Sequence, residues 1–323
     1  MSTAVAPPEQ DVRQSRSSRF FGSARTKVKK FLGRVWRARS AYVFLAPGVL
    51  IFSVFTVVAL VFAFYLTFHR WSIIEPAKPY VGLTNYDDMV HDDRFLSSVL
   101  NTIYFTGASV PITMIIGLGL ALLLNQPLRG RAVFRTAYYL PVLTPFVVSA
   151  LLWKWLYNGQ FGLFNYYLMK GHLIDQPLLW LSDKDLAMPA VVLMTIWSGV
   201  GFSMVVYLAG LQSIPGEIYE SAEMDGAGAL RRVIYITIPM LRPTTLFLLV
   251  IGIIGSLQVF TQIFVMTSGG PVNKTTTMVY YMYLWAFKYY DMGYASTLAF
   301  GLFAMLLVFT ALQLRLFRGG DGS

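Results

Sequence analysis

Six stretches of this chain are long and apolar enough to cross a lipid bilayer, and that limits the folds open to it more than any other feature. A spanning helix needs about 20 mostly apolar residues. The stretches run from Tyr42 to Phe68, Asn101 to Leu124, Thr136 to Trp155, Leu186 to Leu211, Pro243 to Met266 and Tyr294 to Leu314. The third is interrupted by Pro141 and Pro145 and carries Lys154 near its end. Six buried helices of a soluble protein would need polar coats. With 56% hydrophobic and 13% charged residues, the chain lacks them. The expected fold is all-α, a polytopic membrane protein with six transmembrane helices.

The basic residues orient it. Between Arg13 and Arg39 stand ten Lys/Arg and no acid. Arg129, Arg131 and Arg135 follow span 2, Arg231, Arg232 and Arg242 follow span 4, and Arg315 and Arg318 follow span 6. One side thus gathers 18 of the 26 Lys/Arg and seven of the 16 Asp/Glu, a net charge of +11 against −1 opposite. Both termini are expected in the cytoplasm. Residues 1–40 form a basic segment expected to be disordered or to lie on anionic lipid, 41–316 the membrane domain, and 317–323 a cytoplasmic tail. The first apolar run is too long for the core of a cleaved signal, so it is expected to be a retained span.

The chemistry available is narrow. The chain has no cysteine, and its three histidines, His69, His91 and His172, lack metal-ligand spacing. Neither a metal nor a catalytic residue is expected. The acids Asp87, Asp88, Asp92 and Asp93 lack the alternation and central Gly of a calcium loop and are expected to form a solvated acidic face. The second outer loop, Asn158 to Asp185, suits an interfacial helix. Ser268-Gly269-Gly270-Pro271 suits a tight turn.

The loop between spans 4 and 5 carries the most information. Ser213 is expected to cap a helix with Pro215 near its first turn. Ile218 and Ala222 give it a slim apolar face, and Glu217, Glu220 and Glu223 lie on another. Gly226 and Gly228 break it. A second helix is expected from Ala229 to about Thr237, stopped by Pro239. Such a pair could lie on the membrane or enter a cleft of a cytoplasmic partner.

Glu220-Ser221-Ala222, then Gly226, Ile236, Ile238 and Pro239, resembles the Glu-Ala-Ala-x3-Gly-x9-Ile-x-Leu-Pro signature of permease subunits in binding-protein-dependent ABC importers. The run Tyr219 to Gly228, Val81-Gly82-Leu83-Thr84-Asn85-Tyr86 and Thr267 to Pro271 resemble the carbohydrate branch, and its first permease in maltose- and glycerol-3-phosphate-type systems. The resemblance implies a type I importer permease fold with a cytoplasmic coupling helix between spans 4 and 5, in a bacterial inner membrane. It implies that Glu220, Ser221, Ala222, Asp225, Gly226, Gly228, Ile236 and Pro239 meet an ATPase subunit. The implied partners are a second homologous permease, two ATP-binding cassette subunits that hold ATP and magnesium, an extracytoplasmic solute-binding protein, lipid and a sugar, with no nucleic acid. This chain has no Gly-x4-Gly-Lys-Ser/Thr loop of its own, so no cofactor and no ATPase activity are expected on it.

Substrate contacts are expected from polar groups, aromatic faces and helix irregularities near mid-depth. The candidates are Thr144 and Phe146 on span 3, Thr195, Trp197, Ser198, Gly199 and Phe202 on span 4, and Gly252, Gly255, Ser256, Gln258 and Gln262 on span 5. The likeness to the maltose permease adds Val142. No Arg or Lys lies mid-span, which favours an uncharged sugar or polyol over glycerol-3-phosphate or a glycerophosphodiester. A stand-alone secondary transporter would need an intramembrane carboxylate, and a membrane enzyme an acid/base or metal cluster; the spans hold neither.

Overall fold

Proline and capping chemistry, rather than hydrophobicity, decide where these spans bend and stop. The computed structural model describes residues 39–318 apart from Leu128. Nearly all of the basic amino-terminal segment and the last five residues lie outside the described residues. The chain divides into two compact units, residues 1–63 and 64–323. In the first, helix Arg39–Phe52 runs into π-helical Ser53–Val58, and the apolar side chains Phe44, Leu50 and Phe55 are exposed.

Four helices are long and apolar enough to cross a membrane: Val43–Leu66, Asp93–Leu124, Ala187–Gln212 and Met292–Gln313. Two bent pairs bring the number to six if each counts as one crossing, Arg131–Leu143 with Phe146–Leu156 and Ala229–Met240 with Arg242–Leu257. Among the described residues there is no β-strand, only the isolated bridges His69–Tyr80 and Ser72–Asp291.

Several limits differ from those expected. Span 2 begins at Asp93 rather than Asn101, because Asp92 accepts the Arg94 N–H at 2.9 Å and caps the helix. Span 3 is two helices at 98°. Pro145 forces the preceding Thr144 into extended backbone at ψ 127°, which ends the first helix. The apolar run Pro243 to Met266 is not one rod either. Its helix stops at Leu257, Gln258 to Phe260 leave helical geometry, and Thr261–Met266 resumes.

Span 4 is the central element. Much of it is buried, and span 2 and the first half of span 3 pack along it. Glycine permits the close approach: a Cβ at Gly201 would stand 2.2 Å from the Tyr138 carbonyl oxygen. Two apolar cores lie along these helices. One holds Phe105, Trp153, Tyr157, Met194 and Ile263. The other holds Val110, Met114, Met204, Leu241 and Leu248.

In the loop after span 4, the helix is Gly216–Met224 with Pro215 at its N-cap. Ser213 does not cap it. Its hydroxyl donates back to the Gly210 carbonyl at 2.7 Å and closes span 4 instead. The following helix does not stop at Thr237. It passes through π-helical Val233–Thr237 and Pro239 to Met240, and Leu241 leaves helical geometry.

One acid of the run Asp87–Asp93 is not simply solvated. Asp92 Oδ2 accepts hydrogen bonds from Tyr281 at 2.6 Å and Tyr294 at 2.8 Å, tying the start of span 2 to helix Met278–Phe287 and span 6. Burial pushes the Asp92 carboxyl up, but these two bonds and those from the Arg94 and Phe95 backbone outweigh it and hold the group below its ordinary value. Asp87, Asp88 and Asp93 are exposed, as expected.

Candidate functional site

Two places gather the residues singled out from the sequence, a cavity within the bundle and the loop Ser213–Pro239. The cavity has a volume of about 500 Å³. Thr144 and Phe146 reach its wall at the Pro145 break of span 3. Thr195, Gly199 and Phe202 do so from one face of span 4, and Gly252, Ser256, Gln258 and Gln262 from span 5 and its break. Ser198 and Gly255 line it as well, so eleven of the twelve candidates, and Val142, share one wall; Trp197 packs against an apolar core instead. Ser109, Thr113, Ser203 and Thr261 are there too, and sequence reasoning did not select them. Among the described residues, no ionisable side chain lines the cavity.

The breaks shape the cavity, and specific bonds hold them. Thr277 Oγ1 donates to the Val259 carbonyl at 3.1 Å and fixes the break of span 5. The loop that carries Thr277 is itself ordered by the Thr275 hydroxyl, which donates to the Gly270 carbonyl at 2.6 Å, and by Asn101 Nδ2, which reaches the Asn273 and Thr276 carbonyls. The expected tight turn at Ser268–Pro271 is thus a clamp on the cavity wall. Its backbone needs positive φ at Ser268, Gly269, Val272 and Asn273.

The glycines divide by role. A Cβ at Gly252 would touch Val110 at 3.0 Å, whereas at Gly255 it would meet nothing within 4 Å, and at Gly199 only a Thr113 methyl at 3.4 Å. Gly252 serves helix contact, and the other two widen the cavity.

The loop is built by local chemistry. Met224 ends the helix, the Gly226 N–H donates to the Glu223 carbonyl at 3.0 Å, and the Ala227 N–H to that of Ala222 at 2.9 Å. This pair of bonds requires a left-handed residue, and Gly226 has φ +77°. Gly228 is extended and precedes the next helix. Tyr219 and Thr237 join through their hydroxyls at 2.9 Å, and Glu223 pairs with Arg232. Glu220, Ser221 and Asp225 are exposed, and no ion pair engages Glu220 among the described residues. Ala222 and Ile218 are half-buried, so the slim face is turned partly toward the chain itself. Ile236 is half-buried and Pro239 exposed.

Residues 90–319 match the family described as the binding-protein-dependent transport system inner membrane component. The chain belongs to this family. The matched segment includes spans 2 to 6, the cavity and the loop. The trehalose/maltose transport system permease protein MalF of Thermococcus litoralis is 36% identical over 87% of this permease and 94% of its own length. The arabinooligosaccharides transport system permease protein AraP of Bacillus subtilis is 32% identical over 85% and 87%. A chain from the crystal structure of a bacterial ABC transporter involved in the import of the acidic polysaccharide alginate superposes with a TM-score of 0.80. That match covers 90% of this permease and 99% of that chain at 24% identity, a likeness of fold. The fold is that of type I importer permeases, and the protein is a multi-pass membrane component of such a transport system.

Asn165 escaped sequence reading altogether. Buried in the second loop, it accepts from the Leu178 N–H and Trp180 Nε1 and donates to the Leu178 carbonyl at 3.0 Å. It folds residues 158–181 around helix Leu163–Lys170. A lone Asn in a polar loop gives no periodic signal from which to read this.

Proposed function

We propose that this permease passes an uncharged carbohydrate or polyol inward through the 500 Å³ cavity, driven by separate ATPase subunits that dock on the loop 213–239. The observation that carries the reading is the convergence of helix breaks, hydroxyls, amides and four phenylalanine rings on a wall without ionisable groups among the described residues. Aromatic faces suit sugar C–H surfaces, and hydroxyls and amides suit sugar hydroxyls. A phosphate or sulfonate would meet no cation on this chain's share of the wall. The names of the relatives, which speak of trehalose, maltose and arabinooligosaccharides, support the same substrate class.

The basic end, with the loop 213–239, faces the cytoplasm in this reading. Glu220 is the exposed anchor that meets a basic group of the ATPase, and Asp225, Gly226 and Gly228 form the swivel. A second permease closes the rest of the pore, and a solute-binding protein delivers the sugar to the opposite face. No bond is made or broken on this chain. Work enters through the loop, and the bent spans 3 and 5 change which end of the cavity is open. Two ATPase subunits, holding ATP and magnesium, supply that work.

The test is uptake by proteoliposomes containing both permeases and the ATPase, with the binding protein outside and ATP inside. Labelled trehalose and maltose should accumulate only with ATP and binding protein. Accumulation by this chain without an ATPase would overturn the reading in favour of a secondary transporter.

A further inference from the structure

Span 3 is entered through three arginines that have no acid near them. No Asp or Glu stands between Asp93 and Asp175, and neither ion pair among the described residues involves Arg129, Arg131 or Arg135. In the loop 213–239, by contrast, Glu223 neutralises Arg232. Arg129 and Arg131 are exposed. Arg135 is half-buried, and its Nη2 donates to the Leu124 carbonyl at 3.3 Å, which holds the guanidinium against the last turn of span 2. Helix Arg131–Leu143 begins at left-handed Gly130 without a side-chain cap, so its positive amino end adds to the three charges.

The helix then orders its side chains by depth. Arg131, Arg135 and Tyr138 stand at i, i+4 and i+7 and share one face, with Phe134 beside them. At 1.5 Å per residue, Phe134 lies about 4.5 Å and Tyr138 about 10 Å further along the helix than Arg131. Both aromatic side chains are exposed. Cations at the end and aromatic bodies one and two turns deeper match the order of groups in a phospholipid, from phosphate to glycerol to acyl chain. An acidic protein surface arriving from the cytoplasm would meet the charges but not the deeper rings.

We propose that this end of span 3 binds an anionic phospholipid of the cytoplasmic leaflet. Arg129 and Arg131 hold the phosphate with Arg135 at its edge, and one acyl chain lies along Phe134 and Tyr138. Basic pockets between spans on the cytoplasmic side suit such headgroups. The lipid anchors the half-span that packs on span 4. The site rests on the orientation proposed above and is independent of the cargo.

The chain has no cysteine, so Ala132→Cys accepts a single fluorophore beside the arginines. The assembled importer, its other subunits free of cysteine, is placed in phosphatidylcholine vesicles. These carry nitroxide-labelled phosphatidylglycerol or nitroxide-labelled phosphatidylcholine at the same mole fraction. Phosphatidylglycerol should quench with about tenfold higher apparent affinity. Arg129→Gln with Arg131→Gln should bring the two lipids close to parity. Arg242→Gln, which removes an exposed arginine at the start of span 5, should leave the preference as in the wild type. Equal quenching by both lipids in the wild type would overturn the proposal, as would an undiminished preference in the double variant. Equal quenching together with weaker ATPase association in the double variant would also overturn it, and would assign the arginines to the ATPase instead.

Discussion

Loop helix Gly216–Met224 carries three glutamates within two turns, and its cap, ion pair and hydroxyl bond all come from residues within 25 positions of one another. The cavity has no ionisable group, and its wall is drawn from four segments between Phe105 and Gln262. One surface is set by contiguous chemistry, the other by how distant helices break and meet. A docking joint must be charged and locally rigid to find a partner and pass on force. A conduit must hold its cargo with many weak, neutral contacts and release it again. If the two regions divide the work in this way, substitutions should separate docking from passage.

The largest separation is expected from Glu220→Lys. The side chain is exposed and unpaired by the other charges of the described residues, so reversing it leaves the fold intact and places two cations against each other at the joint. ATPase association should weaken about a hundredfold and uptake should fall with it. Co-purification with the ATPase measures this, and unchanged association would remove Glu220 from the joint.

Gly255→Leu probes the other side of the comparison. A Cβ there meets nothing within 4 Å, and leucine is a better helix former than glycine, so the variant should fold and bind the ATPase normally. The added side chain occupies the cavity, and sugar uptake should drop on the order of tenfold. Loss of ATPase association would mean that the cavity and the joint are not separable.

Gly226→Ala sharpens the account of the joint. Space is free around the position, so the φ of +77° is the sole obstacle to a side chain. The left-handed conformation costs a non-glycine residue ~1 kcal/mol; a free variant loop that relaxes out of it must regain it on docking, about a fivefold loss in ATPase affinity. An affinity equal to the wild type would show that docking demands no more of this conformation than the free loop does.

The same contrast explains what was legible. The signature Glu220 to Pro239, the six apolar runs and the Pro145 break could be read because each is local: a spacing, a length, a residue whose ring forbids helix. The substrate-wall candidates came from likeness and from polar residues in apolar runs, and they converge on one cavity. The break at Gln258–Phe260 could not be read, since no Pro or Gly stands there; a hydroxyl 18 residues away, on Thr277, helps to hold it. Asp92 was lost among its neighbours, because the two tyrosines that claim it are about 190 and 200 positions distant.

Asp92 gives the smallest predicted effect, and it tests whether a third region stands apart from both. Its carboxyl is held below the ordinary value of 3.8. For a group whose folded pKa is depressed, the stabilisation is full above the unfolded pKa and disappears as pH falls through the folded one. Thermal unfolding of the wild type and Asp92→Asn should therefore differ by a constant margin from pH 7 down to about pH 5. The margin should shrink below 3.8 as the wild-type carboxyl takes up its proton. The carboxyl is half-exposed, so solvent screens the contribution and the margin should be modest. ATPase association and the KM for sugar should not change, because Asp92 belongs neither to the cavity wall nor to the loop. A margin that is the same at pH 3 as at pH 7 would show that the carboxylate charge is not what holds Tyr281 and Tyr294.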